Sequence, residues 1–327
     1  MKPRTIFLAT IVAPLLLAIV ALGIFRIAAQ VRETNALTVL PDVSGRAVPT
    51  SEGSIFVIER GSSAGTPLLF AHGTAAWSGL WLPTLDHMAA QGFHAIAYDL
   101  PPFGFSHPAA DGDYSRPRQA DRIIALVQAL DTRPIAIGHS VGAGPLAEAV
   151  MKRPDLFDGF VVVDGAISLN SHLAPKTTPI WLRPTGLRRF LTSATLSNPL
   201  LTRLFLRNFI SVKDAATPYV VQTLKVPLSR KGYTAAAADW LPQLFATPLD
   251  AHSTRPGNWQ ALPLPLALIW GETDTITPLS QGQDLQAANQ SASLTVLPDV
   301  GHIPQIEAPE VFWQALLDVL RQMTQET

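Results

Sequence analysis

The sequence predicts an α/β fold built on a mostly parallel sheet, and three observations carry that expectation. Short apolar runs alternate with segments of helical periodicity along most of the chain. One such run, Ile135-Ala136-Ile137, stops at Gly138-His139-Ser140-Val141-Gly142 and gives way to a helical stretch with Pro145 in its first turn. Hydrophobic residues make up 47 % of the 327 and charged ones only 15 %, enough to fill a large core. The chain has no cysteine, which excludes disulfides, thiolate metal sites and a cysteine nucleophile. Its net charge is −1 with basic residues scattered along the sequence, which argues against a nucleic-acid groove. No repeat or low-complexity tract interrupts it.

Residues 1–30 stand apart. Ile6 to Phe25 is an uncharged run of twenty residues, long enough to span a hydrocarbon core of about 30 Å. A cleavable signal carries a shorter apolar region, about 7–15 residues, and a small-x-small site that Ala28-Ala29 supplies poorly. The reading is a retained membrane anchor through residues 6–25, with a cleaved signal and a secreted product as the alternative. Lys2 and Arg4 ahead of the run predict an inside N-terminus and an exported domain, although Arg26 and Arg32 flank the other end.

Residues 31–50, with Pro41, Gly45 and Pro49, read as a polar connector. Residues 54–60 read as a strand, closed by the turn 61–65. Pro67-Leu68-Leu69-Phe70-Ala71 is a continuous apolar run suited to a central parallel strand, and it ends at His72-Gly73-Thr74. A helix over 82–91 follows, then a strand over 94–98 that ends at Asp99-Leu100-Pro101-Pro102-Phe103-Gly104-Phe105-Ser106. Ala120, Ile123, Ile124, Val127 and Leu130 share one face of the next helix, which feeds the strand before Ser140. Phe160 to Asp164 is the next strand. The alternation lapses from Ile167 to Leu262, then resumes with a strand at 266–270, a helix from Pro278, a strand at 293–297 and a last helix from Pro309.

His72-Gly73, Asp99…Gly104-Phe105-Ser106, Gly138-His139-Ser140-Val141-Gly142, Gly271-Glu272-Thr273-Asp274 and Gly301-His302 stand in the order and spacing of the α/β-hydrolase superfamily. The chain resembles that superfamily over about residues 50–325. The resemblance implies a sheet of about eight strands, a core formed by residues 51–166 and 263–327, and a mainly helical lid, 167–262, inserted after the sixth strand. Two positions depart from the pattern. Pro102 stands where relatives usually carry glycine, and Ala75 where many carry proline.

A serine at a strand-to-helix turn with glycines two residues before and after is the setting of a nucleophile elbow, here Ser140. Such a serine needs a base and a carboxylate that orients the base, in the chain order serine, acid, histidine. His302, in the loop after the 293–297 strand, fits the base. His139 lies inside the elbow, His72 belongs to the adjoining loop as a structural hydrogen-bonding residue, and the other five histidines have no motif context. Asp274 fits the acid, with Asp164 as its rival because some members place the acid one strand earlier. The backbone N–H groups of Thr74 and Val141 fit an oxyanion hole. Asp99 and Ser106 fix the turn after their strand. Serine at the elbow, where aspartate would point to epoxide or haloalkane chemistry, implies acyl transfer without metal or cofactor. The lid's apolar residues and four tryptophans, Trp77, Trp81, Trp181 and Trp240, are the expected pocket lining for an apolar ester or acyl substrate. Carbon–carbon bond hydrolysis and cofactor-free haloperoxidase or perhydrolase chemistry use the same residues and remain alternatives. A ligand-binding protein with little turnover is a third.

Overall fold

The computed structural model describes residues 13–36 and 44–325. Residues 6–12 of the apolar run, Lys2, Arg4 and Pro41 of the connector lie outside the described residues. Eight strands form one sheet in the order β1-β2-β4-β3-β5-β6-β7-β8. They are β1 (Gly45–Thr50), β2 (Gly53–Arg60), β3 (Pro67–Ala71), β4 (His94–Tyr98), β5 (Ile135–His139), β6 (Gly159–Val163), β7 (Leu266–Gly271) and β8 (Ser293–Leu297). β2 runs antiparallel to β1 and β4, and all other pairings are parallel.

The last six residues of the expected connector are therefore strand β1. It escapes a reading by pattern because only Val48 of its six residues is buried, and a proline is tolerated on an edge strand. The central strands are apolar on both faces because helices cover both. In β3, Leu69 and Ala71 face one core, shared with α3 (Arg116–Leu130), α4 (Ala143–Lys152) and α10 (Leu279–Ala288). Leu68 and Phe70 face the other, shared with α2 (Leu82–Ala90) and α12 (Pro309–Gln325).

Between β6 and β7 the chain leaves the sheet and forms a helical insertion. It comprises α5 (Thr185–Ala194), α6 (Thr202–Phe209), α7 (Pro218–Lys225), α8 (Tyr233–Trp240) and α9 (Pro256–Gln260), joined by short 3-10 turns. Arg230 ties it to the sheet: its guanidinium is buried and donates to the carbonyls of Ser106 (2.5 Å) and Pro102 (2.6 Å). The loop that receives it is itself held by Asp99, which accepts from the backbone N–H of Ser78 and of Phe105. Ser106 Oγ donates back to the Asp99 carbonyl at 2.6 Å, so both residues do fix the turn. Burial of the Asp99 carboxyl, only partly offset by those N–H donors, pushes it up to about 6.

One further helix, α1 (Ala13–Arg32), precedes the sheet and is long and apolar enough to cross a membrane. Its first turns lie open, whereas a stripe at Leu22, Phe25, Arg26 and Ala29 is partly or fully buried where the helix packs against α5. The residues after it are pinned to the insertion. Arg32 donates to the Leu228 carbonyl, Glu33 accepts from the N–H and hydroxyl of Thr234, and Asn35 exchanges backbone bonds with Ser229 and Lys231.

Candidate active site

The carboxyl ends of β3, β5, β7 and β8 supply the site. β5 ends at His139, and the chain turns into α4 through Ser140, whose φ of 52° is left-handed. Only glycine fits on either side of that turn. A Cβ on Gly138 would lie 2.8 Å from Ala143 Cα, and one on Gly142 would lie 2.3 Å from the His72 carbonyl oxygen. Gly73 is as tightly placed, since a Cβ there would meet Ser140 Cβ at 2.9 Å. The loop after β3 is thus pressed directly onto the serine.

Ser140 Oγ lies 2.8 Å from His302 Nε2, and His302 Nδ1 lies 2.8 Å from Asp274 Oδ2. All three side chains are buried. The Asp274 carboxylate also accepts from Thr277 Oγ1 (2.7 Å) and from the N–H groups of Ile276 (2.7 Å) and Thr277 (3.0 Å). Burial opposes its ionisation, but the bonds from His302, Thr277 and Ile276 outweigh burial and hold its carboxyl below the usual range.

Asp164, the rival acid, is fully buried one strand away. Its Oδ1 accepts from Gly271 N–H at 2.8 Å, and no described N–H or hydroxyl donates to its Oδ2. Burial, together with the neighbouring Asp274 carboxylate, pushes its carboxyl well above the ordinary carboxylate value. The structure brings Asp274, not Asp164, to the histidine.

Thr74 lies on the wall of the same site, and Val141 is the first residue after the serine. No described residue accepts from the Thr74 N–H. Behind this loop His72 is buried, with its Nδ1 at 2.8 Å from the Gly73 carbonyl and its Nε2 accepting from Leu100 N–H at 2.9 Å. That pairing needs a neutral ring, and burial lowers its pKa to about 4. The folded protein therefore binds fewer protons here than the unfolded chain between about pH 6.5 and 4. Stability from this group is full above that window and is lost as the pH falls through it. The expected result is a wild-type thermal midpoint that drops more steeply across the window than that of His72→Gln. Parallel slopes would refute it.

Ser140, His139 and His302 form the floor of a cavity of about 370 Å³. Its walls are apolar and come mainly from the insertion: Leu196, Phe205, Phe209, Leu224, Leu228 and Phe245 among them. None of the four tryptophans expected there lines it. Trp77 donates its Nε1–H to the Thr223 carbonyl at 2.7 Å and packs on Phe105, and Trp81 sits in the core against Phe70 and Phe312. Both follow the Gly73-Thr74 loop into a 3-10 turn whose large side chains fold back onto the sheet. Trp240 packs edge-on against Phe103, and Trp181 lies half exposed against Phe245.

Two further residues hold the site together. Thr277 Oγ1 touches Asp274, the Asp164 carbonyl (2.9 Å) and His302 Nδ1 (3.2 Å). Glu307, the last residue of the short helix α11 (Pro304–Glu307), accepts from the N–H groups of Gly301 and Ile303, on both sides of the histidine. It also accepts from those of Ser211 and Val212 in the insertion. The signal for Thr277 is its place one residue beyond Ile276, whose N–H closes an Asx turn on Asp274 and so brings the threonine back onto the same carboxylate. Nothing local marks Glu307.

A sequence profile of the α/β hydrolase fold matches residues 66–309. The chain belongs to that family. LipZ of Mycobacterium tuberculosis, named as a hydrolase, is 26 % identical over 287 residues, covering 84 % of this chain and 95 % of LipZ. A protein named as a lipase from Acinetobacter baumannii AYE superposes on this α/β hydrolase with a TM-score of 0.70 at 21 % identity, covering 93 % of this chain and 97 % of that one. A membrane phospholipase A superposes with a TM-score of 0.66 at 21 % identity, and covers 98 % of this chain and 97 % of its own. Both superpositions show the fold.

Proposed function

We propose that this protein is a serine hydrolase that cleaves hydrophobic carboxylic esters through an acyl-enzyme. The observation that carries the reading is the Ser140–His302 pair, 2.8 Å apart, on the floor of an apolar cavity. His302 Nε2 takes the Ser140 proton as Oγ attacks the ester carbonyl, and Asp274 holds the ring's orientation and stabilises the imidazolium. The N–H groups of Thr74 and Val141 receive the oxyanion, one such donor being worth about 2.7–4 kcal/mol in comparable enzymes. The alcohol leaves with the proton from His302. Water, activated by the same histidine, then attacks the acyl-enzyme carbonyl and frees Ser140.

The insertion is the lid of this site and supplies the acyl-chain pocket, whose volume falls in the range of ligand cavities, roughly 300–1,000 Å³. Relatives named as a hydrolase and a lipase, and the likeness to a membrane phospholipase A, support an ester of an apolar acid. The segment containing α1 is a retained anchor, which places the catalytic domain at a membrane surface on its extracytoplasmic side. The test is a panel of esters of graded acyl length on the full chain in detergent. Hydrolysis should rise with acyl length up to the length the cavity accepts. No hydrolysis across the panel, with turnover of a vinylogous diketone, would reassign the chain to carbon–carbon bond cleavage.

A further inference from the structure

The chain's net charge of −1 conceals a strong sorting. Residues 167–262 hold eleven Lys and Arg against three Asp, a net of +8, which leaves −9 for the rest. Of those eleven cations only Arg188 has a carboxylate within 4.0 Å among the described residues. Exposed large hydrophobic side chains are sorted the same way. Outside α1 there are fifteen among the described residues; twelve lie in this insertion and three on the remainder of the domain. The two sets are interleaved. Arg183, Leu187, Phe190, Leu200, Arg203 and Leu204 are all exposed, and they follow one another through a single stretch of chain that spans α5, the turn after it and the start of α6. Basic residues alternating with exposed leucine and phenylalanine are what a protein surface presents to a bilayer interface. An aqueous surface has no use for that apolar area.

The position of α1 gives this surface its depth. The helix packs against α5 through residues 22–29, where its own sequence changes from apolar to polar at Arg26. α5 thus sits at the level where a spanning helix would leave the hydrocarbon. The cavity reaches the surface at Leu244 and Phe245, which line it and are also exposed, and half-exposed Trp181, in the turn that packs on α5, lies against Phe245.

We propose that the α5–α6 face of the insertion docks on the surface of an anionic phospholipid bilayer. Its exposed leucines and phenylalanine enter the upper acyl region, its arginines engage lipid phosphates, and the cavity mouth receives a substrate that stays dissolved in the lipid. The inference rests on the reading of α1 as a retained anchor and of the cavity as an acyl pocket, and it adds the surface, its lipid charge and the route of entry.

The absence of cysteine makes a clean test possible. Phe190→Cys, Leu204→Cys and, as a control at an exposed site outside the insertion, Val311→Cys are each labelled with a bimane fluorophore. The full chains are placed in nanodiscs of phosphatidylcholine, with or without phosphatidylglycerol, that carry doxyl-lipid quenchers. Labels at 190 and 204 should be quenched severalfold more than at 311, more so with phosphatidylglycerol, and less at high salt. Arg183→Glu with Arg203→Glu should remove the phosphatidylglycerol effect. Equal quenching at all three sites, or quenching indifferent to lipid charge, would overturn the proposal. So would a label shielded in a concentration-dependent way without lipid quenching, which would put a second copy of the chain on this face. Hydrolysis of a short, water-soluble ester is measured on the same samples. Its loss in unlabelled wild type would strike the hydrolase reading alone, because quenching reports docking without turnover.

Discussion

Ser140→Ala should leave a folded protein with no covalent reactivity toward a fluorophosphonate and a kcat lower by about 10⁶, the loss found when one member of such a unit is removed. The hydroxyl is nucleophilic only while His302 Nε2 sits 2.8 Å away to take its proton. The phosphoryl oxygen of the probe must also find the N–H groups of Thr74 and Val141. Other serines lack both features, so labelling should be stoichiometric and confined to Ser140. His302→Ala should suppress labelling almost as completely, because an unassisted hydroxyl hardly ionises near neutral pH. Mass spectrometry of the labelled protein reads the site directly. An unlabelled wild type whose cavity still binds an apolar ligand would return the chain to the class of binding proteins that keep the fold without turnover.

Asp274→Asn should lower kcat by about 10⁴, whereas Asp164→Asn should cost less than about tenfold. The two carboxyls differ in what each already holds. Asp274 accepts from His302 and is kept ionised by three further donors. An asparagine there presents either an oxygen that keeps the ring orientation but no charge, or an NH₂ that forces the wrong tautomer. Among the described residues Asp164 accepts only the Gly271 N–H, through Oδ1, and burial pushes its carboxyl well above the ordinary value. Asparagine is nearly its isostere and keeps that acceptor. Steady-state kinetics on both variants decides the matter, and a larger loss at Asp164 would transfer the role of acid to it.

The sheet and the elbow were legible because their constraints are local. Central strands must be apolar on both faces, and a cramped turn admits only glycine at 138 and 142, so both leave a mark in a few consecutive residues. The partnership of Ser140, Asp274 and His302 could be named from motif order, since each closes a strand of known rank. β1 was not legible. An edge strand with one buried residue and a proline looks like a loop until its partner is known. The pocket lining escapes the sequence for a different reason. Tryptophan is as good a core residue as a wall residue, and only the tertiary fold shows that Trp77 and Trp81 turn inward while Phe205 and Phe209 of α6 line the cavity that holds the serine. The charge of the insertion was present in the sequence from the start. It was hidden by averaging over a chain whose remaining residues are acidic.

The left-handed backbone at Ser140 bears on how this chain is maintained over generations. A non-glycine residue at φ of 52° costs on the order of 1–3 kcal/mol, which glycine would recover at once. The serine codons that begin with AG lie a single nucleotide from glycine codons, so for a gene using one of them relief is close at hand. A lineage that needed only the fold, or only the cavity, would gain stability by taking that step. A serine kept at this angle, facing a histidine and an ionised carboxylate, is the state that selection for turnover preserves and that drift would erase first.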